Sequence, residues 1–178
     1  MTAVDQGTFT ASQFNMYIRD NLLETLPGKA SSAARNFVTT GLNSVSERVP
    51  SYATVDTKEG TATTSFVDLA TVGPSVTVAT GTSAIVWFAA HCDFGDIATT
   101  GLAYCVPAVT GATVEGPGTE YAIAWGNLND EDELTCSKAH LFTALTAGTN
   151  TFTLKYQAPT MNAGNCSWER RQIMVLPL

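Results

Sequence analysis

Apolar residues recur at helical spacing in one stretch of the chain. Phe14, Tyr17, Ile18, Leu22 and Leu26 fall on a single face, which predicts a helix within residues 8–28. Thr10 can cap it, and Gln13, three residues on, completes a capping box. Phe9 and Phe14 occupy the two positions of a hydrophobic staple. Pro27-Gly28 then stops the helix, because Pro brings no N–H and Gly tolerates positive φ. About four turns carry five large apolar side chains, too many to leave in water. The ridge has to dock on something.

From Lys29 to Pro50 the residues are small and polar, with Phe37, Val38, Leu42 and Val45 as isolated apolar points. This pattern predicts an extended arm with little core of its own, held by whatever it lies against.

Beyond Ser51 the helical period vanishes and β-branched residues alternate with polar ones. Strands are expected at Tyr52–Thr57, Thr64–Leu69, Ser75–Thr80, Ala84–Cys92, Gly101–Val106, Glu120–Trp125, Leu134–Ala144, Thr151–Tyr156 and Arg170–Leu176. Gly73-Pro74, Gly81, Gly95, Gly111, Gly116-Pro117-Gly118 and Gly148 punctuate them as turns. Short strands at this spacing without intervening helices predict an all-β fold, an antiparallel jelly-roll-like β-sandwich. The organisation expected is an anchor helix and extended arm over residues 1–50 and a β-sandwich head over 51–178. Ala84–Cys92 is apolar almost throughout, as in a central strand covered on both faces. One cover would be the second sheet; the other could be a sister subunit.

Composition narrows the function classes. The 178 residues suit about one domain. Only 9 Lys and Arg stand against 16 Asp and Glu, a net charge of -7, so no basic surface is available for nucleic acid. No apolar run approaches the roughly 20 residues of a membrane-spanning helix. The opening MTAVDQGTFTAS has neither a basic nor an apolar leader region, so no secretory signal is expected.

Candidate chemistry is thin. Cys92, Cys105, Cys136 and Cys166 form no C-x-x-C pair, which removes zinc-ribbon and thioredoxin readings. Cys92 with Cys105, or Cys136 with Cys166, could approach on neighbouring strands; buried thiols are the plainer expectation. His91 and Cys92, adjacent on a strand, point to opposite faces and cannot share an ion without a bulge. Cys136 and His140 supply two ligands where zinc needs three or four. The acidic run from Asn127 to Glu133 lacks the spacing of a calcium loop and reads as a solvated rim, as do Asp93 and Asp96. No nucleophile elbow, zinc-hydrolase helix motif or phosphate-cradling glycine loop occurs. Trp87, Trp125 and Trp168 could form a sugar platform, but single Trp residues on strands more often anchor a core or an interface. The sequence therefore predicts no catalytic, cofactor-binding or metal-binding residues.

Two stretches carry a resemblance. Thr10, Ala11, Phe14, Asn15, Tyr17, Ile18, Arg19, Asp20, Asn21 and Leu22 match a T-A-x-x-[FL]-N-x-Y-[IV]-R-D-N-L helix, followed by an Ala/Thr linker and an E-R-x-P junction at Glu47, Arg48 and Pro50. Near the other end, T-A-G-x-N-T-F begins at Thr146 and V-x-P-L begins at Val175. In these features the chain resembles structural proteins of tailed phages of actinobacteria, those labelled minor tail, minor capsid or head-decoration. The likeness spans most of the chain and is weakest between residues 93 and 133; the four cysteines and the acidic loop depart from the pattern.

The resemblance implies a non-enzymatic virion protein, assembled in the host cytoplasm and exposed on the particle surface. A trimeric capsid decoration or cement protein bound to the major capsid protein is the first expectation. A tail-tip or tail-fibre protein with a receptor-binding head, attached to a tail hub, is the alternative. Phe9, Phe14, Tyr17, Ile18, Arg19, Asp20, Leu22, Leu26 and Phe37 would bind the partner. Trp87, Phe88, Ile173 and Val175 would lie between subunits. No cofactor, nucleic acid or membrane is expected to take part.

Overall fold

Eight of the nine predicted strands are present in the computed structural model, which describes residues 10–19, 21, 30–42, 44–95, 101–126, 132–159 and 166–178. The strands are β1 (Asn36–Gly41), β2 (Ser44–Arg48), β3 (Ser51–Val55), β4 (Glu59–Gly60), β5 (Ser75–Thr80), β6 (Ala84–Phe94), β7 (Leu102–Gly111), β8 (Ile123–Gly126), β9 (Asp132–Phe142), β10 (Gly148–Gln157) and β11 (Cys166–Pro177). Thr64–Leu69 makes only an isolated bridge, Val67 to Tyr156.

Two antiparallel sheets face each other, ordered β3-β11-β6-β9 and β5-β10-β7-β8. Two-residue β4 continues the flank of β11 beyond β3. From β4 to β11 successive strands alternate between the sheets except at β7–β8, and β11 returns to lie between β3 and β6. This interleaving of a four-stranded sheet with a five-stranded one is jelly-roll connectivity. Period-2 alternation places the core directly: in β5 Val76 and Val78 are buried while Ser75 and Thr77 are exposed. Phe88, Phe94, Trp125, Phe152, Leu154, Tyr156, Trp168 and Ile173 fill the space between the sheets.

Strand β11 changes phase midway. Cys166 and Trp168 point inward, then Arg171, Ile173 and Val175 do. The switch is a β-bulge between Glu169 and Gln172, where Arg170 takes φ 48°; one extra residue flips every later side chain. The bulge drives Arg171 into the core, fully buried. Its guanidinium donates to the carbonyls of Thr57, Thr71 and Gly73 and to the Glu59 carboxylate, and sits over the Tyr156 ring.

The segment expected as an extended arm contains two strands. β1 and β2 pair as an antiparallel hairpin. Phe37 and Val38 line a cavity of about 620 Å³ against Gly81, Ser83, Ala147 and Leu178 at one end of the sandwich. Small side chains suit this two-stranded edge, and the hydrogen-bond ladder supplies what apolar alternation does not.

At the N-terminal side, helix α1 (Ala11–Phe14) continues through a π-helical turn, Asn15–Arg19. The capping box forms as expected: the Thr10 hydroxyl accepts from the Gln13 N–H and the Gln13 side chain accepts from the Thr10 N–H. Phe9, Asp20, Leu22 and Leu26 lie outside the described residues, and with them the proposed staple and the lower half of the ridge.

Candidate interaction surface

The outer face of the β3-β11-β6-β9 sheet is built in cross-strand rows. Register aligns Tyr52, Met174, Trp87 and Ala139 straight across four strands. A neighbouring row holds Leu176, Ile85 and Leu141. Exposure is 78% at Tyr52, 50% at Leu141, 42% at Met174 and 40% at Trp87. A depression of about 270 Å³ opens among Tyr52, Thr54, Trp87, Ala89, Gln172 and Met174, and no charged side chain lines it. Large apolar groups exposed together in a row are a feature that contact surfaces of proteins share.

The expected subunit contacts divide sharply here. Trp87 faces outward, whereas Phe88, Ile173 and Val175 are 2%, 1% and 0% exposed and belong to the core. Neighbours on a strand point to opposite faces, so Trp87 and Phe88 could never serve one surface together. Ile173 and Val175 share the inward phase set by the Arg170 bulge. Met174, Tyr52 and Leu141 are exposed on the same face as Trp87; period-2 parity groups Met174 apart from Ile173 and Val175, but sequence alone does not say which set points outward.

The opposite sheet has an ordinary polar exterior. Hydroxyls pair across β5 and β10, Ser75 with Thr153 and Thr77 with Thr151, each at 2.8 Å.

Along the apolar sheet the character changes from one end to the other. A polar row, Thr54, Gln172, Ala89 and Ser137, follows the Trp87 row. Beyond the bulge come ionic groups. His91 Nδ1 lies 3.0 Å from the Thr135 hydroxyl, and its Nε2 is 3.6 Å from Glu133 and 3.8 Å from Glu169. Lys58 pairs with Asp93, which raises the lysine pKa. Among the described residues no three His, Cys, Asp or Glu side chains are grouped to hold a metal ion. Asp96 and residues 127–131 lie outside the described set.

All four cysteines are free thiols and three are buried, the plainer of the two expectations; neither suggested approach is present. Cys92 and Cys105 sit in opposite sheets, and β6 separates Cys136 from Cys166. The close contact is Cys92 Sγ to Cys166 Sγ, 3.7 Å, between free thiols. Burial pushes the Cys92 and Cys105 thiols well above their ordinary pKa, so neither is disposed to be a thiolate. His140 stacks on Tyr121 with centroids 4.4 Å apart, and burial lowers its pKa. The Trp residues form no common platform: Trp125 and Trp168 are buried and only Trp87 is open.

On the N-terminal helix Phe14, Tyr17 and Ile18 stay 50%, 46% and 41% exposed. Phe37 is half-buried over the sandwich end.

No family model matches the chain, and no curated protein matches it in sequence. Among solved structures it is similar to a chain in the structure of infectious bursal disease virus, Gt strain, at a TM-score of 0.39 and 15% identity. The match covers 78% of this chain and 35% of the viral one.

Proposed function

We propose that this chain is a non-enzymatic structural protein of a phage particle. In this reading it is a trimeric decoration protein that lies on the outside of the major capsid shell. The helix ridge is its tether to the shell, and the jelly-roll head associates with other copies. One observation carries the reading: Phe14, Tyr17 and Ile18 remain about half exposed on a chain whose sandwich core is complete without them. A capped helix that keeps three large apolar side chains in water has its energetic partner on another molecule. The apolar outer sheet face fits the same role, since it offers contact area and no charged group in its depression. The matched helix and junction motifs point to the same class of particle.

Removing the protein from purified particles and measuring capsid rupture under heat or low salt tests the assignment. Earlier rupture, with hundreds of copies restored on re-addition, is expected. Unchanged rupture, with a handful of copies located on the tail, would replace it by the tail-tip reading.

A further inference from the structure

We infer that the outer face of the β3-β11-β6-β9 sheet is covered by a second copy of this chain, with Tyr52, Met174, Trp87 and Leu141 at the centre of the contact. This deepens the self-association part of the proposed role and does not depend on the shell-binding part.

Width selects the occupant. Neighbouring strands lie about 4.8 Å apart, so β3 to β9 spans roughly 14 Å. A single helix, about 10–12 Å across with its side chains, would cover two strands and leave Tyr52 or Leu141 wet. A second broad surface of the same protein covers all four.

Area agrees. The exposed parts of those four side chains amount to on the order of 400–500 Å². With Thr54, Gln172, Ser137 and Ala139 exposed beside them, the face approaches the ~800 Å² per partner of a standard interface.

Charge is arranged to permit it. Two copies each carrying -7 repel one another, yet the Trp87 and Ile85 rows contain no charged residue. His91, Glu133, Glu169, Lys58 and Asp93 collect beyond the polar row, where they form a rim. An apolar centre with a polar margin is the anatomy of a protein–protein contact.

The full chain is tested by sedimentation from about 1 to 100 μM, the range in which an interface of this size can begin to associate. Trp87, the one open tryptophan of three, adds an optical readout through iodide quenching. The expected result is a multiple of the monomer mass and loss of Trp87 quenching as concentration rises, both strengthened by salt. Met174→Glu should give a folded monomer with Trp87 open, while Thr77→Glu on the opposite sheet should leave the mass unchanged. If Met174→Glu does not fold, Tyr52→Glu on the flanking strand carries the same comparison. A wild-type monomer at every concentration overturns the inference, as does a folded Met174→Glu that keeps the assembled mass. A monomer whose Trp87 is shielded until Phe14→Glu and Tyr17→Glu are introduced would assign the face to the chain's own helix instead. A Met174→Glu monomer that still binds stripped particles separates this surface from the tether. Particle binding by a wild-type monomer would sink this inference alone.

Discussion

Arg171 Nη2 lies 3.2 Å from Glu59 Oε2, with the arginine side chain wholly buried and the glutamate partly exposed, at 15%. The pair ties β11 to the loops that leave β3 and precede β5, because the same guanidinium donates to the carbonyls of Thr57, Thr71 and Gly73. Glu59→Ala would strand a buried cation, a change that costs about 3–5 kcal/mol. The double change Glu59→Ala with Arg171→Met should recover much of that loss, since an apolar pair needs no charge compensation. Urea unfolding of the single and double variants measures both terms.

The same glutamate sets an acid limit. The Thr71 hydroxyl, its backbone N–H and the Arg171 charge hold the Glu59 carboxyl below the usual carboxylate range, against the opposing effect of burial. A folded pKa below the unfolded one gives stability that is fully present above the unfolded value, about 4.3, and is lost as pH falls through the folded value. Glu59→Gln should therefore flatten the dependence of unfolding free energy on pH below about 4.5 and leave the slope from 5 to 8 unaltered. An unchanged acid limb in denaturant titrations would contradict the assignment.

At the other end of the sandwich Asn150 has a comparable role. Its side chain accepts from the Thr113 N–H and donates to the Thr80 hydroxyl and the Thr146 carbonyl, all at 3.0 Å or less, in a site with no exposure. Asn150→Ala leaves the buried Thr113 N–H and the part-buried Thr146 carbonyl unpaired and should cost about 2 kcal/mol. Thermal unfolding reports it, and Asn150→Asp should fare no better, because a carboxylate cannot donate to Thr146.

Alternation made most of the sandwich legible. Val76 and Val78 in β5 and Phe152, Leu154 and Tyr156 in β10 give both strands and their inward faces directly. The hairpin β1–β2 was not legible, since its residues are small and polar and its stability comes from a backbone ladder that side-chain pattern does not report. The bulge was hidden for a related reason. Cys166 and Trp168 carry one phase and Ile173 and Val175 the other, and a strand begun at Arg170 misses the first set. The interaction face was half legible: β6 is apolar in both phases, so parity separates Trp87 from Phe88 without saying which points inward. Only the second sheet, packed on Phe88, decides it.

Thiol chemistry offers an independent check on packing. Cys92, Cys105 and Cys166 are buried and Cys136 is half-buried, and burial raises the pKa of Cys136 as well. A thiol reagent at neutral pH should label Cys136 slowly and the other three far more slowly in the folded protein. All four should react at once in denaturant. Rapid labelling of Cys92 or Cys166 would show that the β6–β11 contact opens at low cost.

The proposed tether can be separated from the sandwich by stability alone. Phe14 and Tyr17 are about half exposed, and the core closes without them. Phe14→Ala and Tyr17→Ala should then change the unfolding free energy of the head by no more than about 0.5 kcal/mol, as at other surface positions. A core aromatic such as Phe152→Ala should cost about 3–5 kcal/mol in the same assay. Attachment to particles should respond in the opposite order, falling with the helix variants while their heads stay folded. If truncating Phe14 or Tyr17 lowered head stability by 2 kcal/mol or more, the ridge would be packing on its own sandwich, and shelter on another molecule would no longer be needed.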